Sequence, residues 1–220
     1  DIVAHEMTHG VTQHTAGLVY KFQSGALNEA FSDIFGAMVD RDDWTIGEDI
    51  TIAEPGYLRN MADPSKGLTS LPTKMSEYKD YPFERDNGGV HTNCGIPNRA
   101  AYLIAEGLTD EGLGESIGRK DTEQLFYRAL TVYLKKESQF IDGRRMTIQA
   151  AEDLLGKESK QVIAVRKAWD VVEVFDNQTL AAKPEPTKPQ EAAPAKPKRE
   201  NPVKKPQLKL EKGGDWQNVF

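Results

Sequence analysis

The stretch Asp1-Ile-Val-Ala-His5-Glu6-Met-Thr-His9-Gly10 decides how the rest of the chain is read. It contains His-Glu-x-x-His. Coiled as a helix, it stacks His5 and His9 one turn apart on a single face. Two imidazoles at that spacing can share one zinc ion. Glu6 is turned by about 100° from His5. It is too far round to be an equal ligand, yet close enough to reach a metal-bound water, which is where a general base belongs. The same pattern also arises by chance on surface helices. Ile2, Val3 and Ala4 tilt the balance, because they predict a largely buried helix in which His and Glu need partners.

A third ligand has to come from elsewhere, since catalytic zinc keeps three protein ligands and one open position. Glu29 follows in Asn28-Glu29-Ala-Phe-Ser-Asp33. Phe31, Ile34, Phe35 and Met38 mark this segment as a helix with one apolar face. Glu29 and Asp33 share another of its faces. A helix antiparallel to the first would turn Glu29 to the metal and Asp33 to the outer nitrogen of a liganding histidine, fixing its tautomer. Taken alone, an acidic first turn complementing the helix dipole is the simpler explanation. Beside His5 and His9, ligation is preferred.

Further out, the composition falls into two regimes. The chain has 220 residues, net charge −6, 38% hydrophobic content and one cysteine, Cys94. These values allow one ordinary core. They exclude an intrachain disulfide and a cysteine-rich zinc module, and mild acidity argues against binding duplex nucleic acid. No apolar run is long enough for a membrane span. From Ala181 onward the chain holds seven of its twelve prolines, mixed with Lys, Ala and Glu, and a charge of +4. Repeated Pro blocks helix propagation, and little apolar surface offsets chain entropy. The expected organisation is a helical domain over 1–178, a disordered, extended Pro/Lys/Ala-rich linker over 179–214, and an apolar end over 215–220. That end reads either as the start of a further module or as a sticky tail. In the body, helices are expected at Asn98–Glu106, Thr122–Lys135, Thr147–Leu155 and along Val162, Val165, Trp169 and Val172. Between them and the first two helices, residues 41–89 are rich in Asp, Gly, Pro and Asn and read as a long irregular, functional stretch.

These motifs together resemble the thermolysin family of zinc metalloendopeptidases. Besides His5-Glu6-x-x-His9 and Asn28-Glu29-x-x-Ser32-Asp33, the likeness includes Thr15-Ala-Gly-Leu-Val-Tyr20, Leu58-Arg59-x-Met-x-Asp-Pro64 and Asp86-Asn-Gly-Gly-Val-His91. It covers about Asp1 to Val174, and Asn93-x-Gly-Ile-Pro-Asn98 looks more like the protealysin branch. The resemblance implies a mainly α fold, the family's C-terminal helical bundle with a long irregular metal-binding loop region. It implies one catalytic zinc held by His5, His9 and Glu29, with Asp33 behind a histidine. Glu6 matches the base that activates the zinc-bound water. His91 and Tyr20 match donors to the tetrahedral intermediate, and Asp86 matches the carboxylate orienting His91. Arg59 matches a substrate-carbonyl ligand. Ile2, Ile46, Ile50 and Leu58 match the apolar lining of a pocket for a bulky residue just after the cleaved bond. Asp1, Asp40, Asp43 and Glu48 match carboxylates of a double-calcium site. The segment between Asp40 and Asp43 is shorter than in thermolysin, so one structural calcium is expected. His14 matches nothing and reads as an ordinary helix residue.

The resemblance also implies what surrounds this chain. Family members carry a β-rich N-terminal domain and a propeptide ahead of the zinc helix, and this chain opens on that helix. The expectation is therefore a fragment of a secreted zymogen, with a cytoplasmic pool possible. Its substrates would be peptides and proteins, with no nucleic acid or membrane partner. The exposed side of the zinc helix would be apolar, and the isolated chain weakly active or inactive. A zinc aminopeptidase and a non-catalytic metal-binding or interaction module remain as alternatives.

Overall fold

The structure, a computed structural model, describes residues 1–107 and 116–176. The linker and apolar end expected at 179–214 and 215–220 lie outside the described residues. Asp1 starts the first helix, α1 (Ile2–His14): its carboxylate accepts the Ile2 N–H, which no helical carbonyl can reach. The second helix, α2 (Phe22–Val39), is apolar around most of its circumference. It is buried from Ser24 to Met38 with only Phe35 partly exposed, as a helix at the centre of a domain must be. Set into that apolar surface are Asn28, Glu29, Ser32 and Asp33, all buried. Polar groups so placed need partners, and α1, packed along α2, supplies them.

The irregular stretch folds largely as its composition predicts. Its regular structure is an antiparallel pair, β1 (Thr45–Ile46) with β2 (Arg59–Asn60), and two short 3₁₀ turns, Pro64–Lys66 and Met75–Glu77. The pairing sets Ile46 opposite Arg59 and brings the arginine back to α2. Next comes α3 (Asp86–Asn93), whose first four residues are left-handed, with φ between 47° and 86°. Asn tolerates this conformation and Gly adopts it freely. The turn lets the Asp86 carboxylate reach back and accept the His91 and Thr92 N–H groups.

The remaining helices are α4 (Gly95–Glu106), α5 (Gly118–Arg128), α6 (Phe140–Leu155) and α7 (Lys160–Val171). They start earlier than hydrophobic periodicity alone indicates. α4 takes in Pro97, which a first helical turn accepts because its N–H would be unbonded there. α6 begins at Phe140 because Gln139 and Asp142 form a reciprocal cap. The expected helix through Lys135 instead passes into a π turn at Ala129–Tyr133. The core joins Phe31, Phe126, Leu130 and Trp169, and the indole N–H donates to the Thr147 hydroxyl at 2.8 Å.

One expectation about α1 is overturned. Ile2-Val3-Ala4 suggested a largely buried helix, but Val3 is 74% and Met7 69% exposed, and Val11 is exposed as well. At i, i+4 and i+8 they form an apolar stripe opposite the face packed on α2. Among the described residues, no helix is long and apolar enough to cross a membrane.

Candidate metal centre and cleft

The facing sides of α1 and α2 bring together three side chains that could ligate one ion. His5 Nε2 lies 3.2 Å from His9 Nε2 and 3.6 Å from Glu29 Oε2, and His9 Nε2 lies 3.4 Å from Glu29 Oε1. Ligands about 2.0–2.1 Å from one tetrahedral ion stand about 3.3 Å apart, so the spacing fits zinc. Glu29 Oε2 is buried and accepts no hydrogen bond among the described residues. A bare buried carboxylate oxygen is costly unless a cation faces it.

Neighbouring side chains aim both histidines. His5 Nδ1 lies 2.8 Å from Asp33 Oδ1. The ionised carboxylate can only accept, so Nδ1 carries the proton and Nε2 offers its lone pair to the centre. His9 Nδ1 lies 2.8 Å from Asn28 Oδ1, whose amide is oriented by its own N–H donation to the Leu18 carbonyl. His9 is therefore the same tautomer. Asp33 accepts further bonds from Arg59 Nε and Nη2 and from Asn98 Nδ2, each at 2.7 Å. Burial alone would raise its pKa. The Arg59 guanidinium, with the hydrogen bonds from His5 and Arg59, outweighs burial and holds it well below the usual carboxylate range.

Across the opening, His91 Nδ1 lies 2.6 Å from Asp86 Oδ1. The Tyr20 hydroxyl donates to Glu29 Oε1 and lies 3.0 Å from His91 Nε2. Burial first, and then the Glu29 carboxylate, raise the Tyr20 pKa and keep the phenol a donor. Gly25 allows this approach: a Cβ there would stand 2.4 Å from Val90 Cγ1 and 2.9 Å from the Tyr20 backbone.

An open cleft of about 830 Å³ runs along α1 over these groups. Glu6 lines it and is exposed to solvent beside the three ligand atoms. Ile2, Ile50, Leu58 and Arg59 lie toward the end where α1 begins, and Gln13, Gly17, Leu18 and Lys136 lie toward the end where it stops. Ile46, expected in the pocket wall, is not in it: β1 turns its side chain into the core, where it is wholly buried near Gly36. His14 is exposed in the last turn of α1.

The acidic turn is arranged differently. The Asp1 oxygens accept from Ile2 N and Gly47 N. Asp43 Oδ1 accepts from the Thr45 N–H and hydroxyl, and that hydroxyl also lies 3.2 Å from Glu48 Oε2. Arg119 spans the turn, donating to the Ala37 and Asp43 carbonyls and stacking 4.0 Å over Trp44. Among the described residues, His5, His9 and Glu29 make one group of three whose ligand atoms all lie within 4.8 Å of one another. At the acidic turn, local N–H and hydroxyl groups face oxygens of Asp1, Asp43 and Glu48, and an Asp40 oxygen lies 3.7 Å from the amino group of Asp1.

Sequence reasoning missed three partners of the centre: Asn28, Asn98, and Ser32, whose hydroxyl lies 3.2 Å from His9 Nδ1. Asn28 and Ser32 sit one residue before Glu29 and Asp33, so α2 carries two adjacent polar faces, one for each histidine. Four polar residues in an apolar buried helix were the available signal. Asn98, on a distant helix, gave none.

The family described as "Thermolysin metallopeptidase, alpha-helical domain" matches residues 16–174. That match begins beyond the helix bearing His5 and His9. Bacillolysin from Brevibacillus brevis is 54% identical over 177 residues, covering 79% of this chain and 33% of that protein. Neutral protease B from Bacillus subtilis (strain 168) is 49% identical over 180 residues, covering 80% and 32%. Among solved structures, the precursor of protealysin, a metalloproteinase from Serratia proteamaculans, aligns with a TM-score of 0.67 at 35% identity, covering 79% of this chain and 57% of that one. The chain spans about a third of the length of these two curated relatives. With the matched family spanning most of the chain, the chain belongs to the thermolysin metallopeptidases and carries their alpha-helical domain.

Proposed function

We propose that this chain carries the metal-binding and proton-moving half of a zinc-dependent endopeptidase. One observation carries the reading: two histidine Nε2 atoms and the Glu29 carboxylate stand at tetrahedral spacing, both rings aimed by buried acceptors. Zinc, when bound, supplies a Lewis acid and an acidified water. Glu6, on the open side of α1, takes a proton from the attacking water and hands it to the leaving amine. His91, braced by Asp86, and Tyr20 donate to the carbonyl oxygen as it gains charge, from positions set before substrate arrives. Ile2, Ile50 and Leu58 give one end of the cleft an apolar wall suited to a bulky hydrophobic residue after the cleaved bond.

Other parts of the reading concern what this chain joins. The apolar stripe Val3, Met7 and Val11 suits a covering segment, the β-rich N-terminal domain that the resemblance implies. The chain by itself is then weakly active or inactive. A single structural calcium at the acidic turn would have to draw Asp43 and Glu48 away from Thr45.

The test uses a peptide with a blocked amino end, such as furylacryloyl-Gly-Leu-amide, which an aminopeptidase leaves intact. Glu6→Gln is expected to bind zinc as the parent does and to lose about a hundredfold or more of whatever turnover the zinc-loaded parent shows. Parental hydrolysis by metal-loaded Glu6→Gln would overturn the base assignment. Loss of zinc by the same variant would make Glu6 a ligand instead.

A further inference from the structure

Helix α4 is built for an apolar core: Ile96, Pro97, Ala100, Ala101 and Ile104 are all buried. Asn98 interrupts that surface and is 1% exposed. Its Nδ2 donates to Asp33 Oδ2 at 2.7 Å, while its Oδ1 accepts nothing among the described residues. An apolar side chain would leave no unpaired atom, so the amide is retained at a cost to stability. What it gives in return is one donor, aimed at the carboxylate behind His5. Asp33 Oδ1 is shared between His5 Nδ1 and Arg59 Nη2, and Oδ2 between Arg59 Nε and Asn98. Without Asn98, Arg59 alone holds the second oxygen, and the carboxylate loses the hydrogen bond that ties it to α4. The segment that carries Asn98 also carries His91, only seven residues earlier. Asn98 therefore fastens the stretch bearing His91 to α2, which bears Glu29 and Asp33.

We propose that Asn98 is a positioning residue for the metal centre. Through Asp33 it fixes the ring of His5, and it keeps His91 aligned with Glu29 across the opening. The proposal rests on the zinc reading above and adds to it a residue from a third helix.

The test compares the parent chain with Asn98→Leu and Asn98→Asp. The first removes the donor on the same branched skeleton, with bulkier methyls, and the second replaces it with an acceptor. Asn98→Ser is the smaller substitute should either variant fail to fold by far-UV circular dichroism. Ile104→Val is the control, because it loosens the same helix without touching Asp33. Zinc affinity is read by competition with a chelating dye, and ligand geometry by the visible spectrum of the cobalt(II) form. The Asn98 variants are expected to bind zinc about ten- to a hundredfold more weakly and to show an altered cobalt spectrum. Ile104→Val is expected to change neither. Folded Asn98 variants with parental affinity and spectrum would overturn the proposal and leave the zinc reading standing. A parent chain that binds no zinc would overturn both.

Discussion

The α1–α2 seam and the acidic turn over residues 40–48 both match metal sites by resemblance, yet they are built in opposite ways. In the seam, both histidines are aimed by a second residue: His5 by Asp33, and His9 by Asn28. Their Nε2 atoms and the Glu29 carboxylate face a shared space, and among the described residues Glu29 Oε2 accepts no hydrogen bond. In the turn, Asp1, Asp43 and Glu48 face Gly47 and Thr45, and an arginine ties the backbone. The difference teaches what packing does to a ligand pattern. In the seam, partners hold the outer atoms of His5, His9 and Glu29 and leave inner atoms facing one another. In the turn, nearby N–H and hydroxyl groups face the carboxylates, and a cation would have to displace them.

Several substitutions can break or sharpen this contrast. The largest effect belongs to His9→Ala, which removes one of three ligands. Zinc retained at parental affinity, measured by dye competition, would dissolve the distinction between the two regions. Asp33→Ala should follow, because it orphans the Arg59 guanidinium, whose side chain is only 14% exposed. Breaking a buried pair from one side costs about 3–5 kcal/mol, to be read by urea denaturation of the apo chain. A loss under 1 kcal/mol would mean that Arg59 finds water or another acceptor.

Gly25→Ala comes next. The added methyl meets Val90 Cγ1 and the Tyr20 backbone, so about 1–3 kcal/mol of stability should be lost, with His91 displaced from Glu29. An unchanged thermal midpoint would show that the loop yields freely. The acidic turn should respond least. Asp43→Ala removes two hydrogen bonds to Thr45 and should cost about 1 kcal/mol. Millimolar calcium should add about 1 kcal/mol to the parent and nothing to the variant. A calcium effect as large as that of zinc would reverse the comparison.

Sequence carried the seam further than the rest of the fold. The four-residue spacings of His5 with His9 and of Glu29 with Asp33 are helical signals that local geometry preserves. The irregular character expected for residues 41–89 from Asp, Gly, Pro and Asn holds as far as residue 85, beyond which 86–89 form the left-handed opening of α3. Three features were not legible in this way. Apolar content alone suggests a buried α1; the exposure of Val3 and Met7 follows only from the resemblance, which implies an apolar exposed side on that helix. Ile46 lies outside the pocket wall because it packs into the core near Gly36, and no periodicity marks so short a strand. Asn98 touches Asp33 across 65 residues of sequence, a contact that only the folded chain creates.

The central claim is that His5, His9 and Glu29 together hold one zinc. Equilibrium dialysis of the chain and of Glu29→Gln, followed by metal analysis, tests it most directly, since the substitution keeps shape and removes the charge. The expected result is one zinc per parent chain and far less than one in Glu29→Gln. Full zinc occupancy in that variant, or none in the parent, would contradict it.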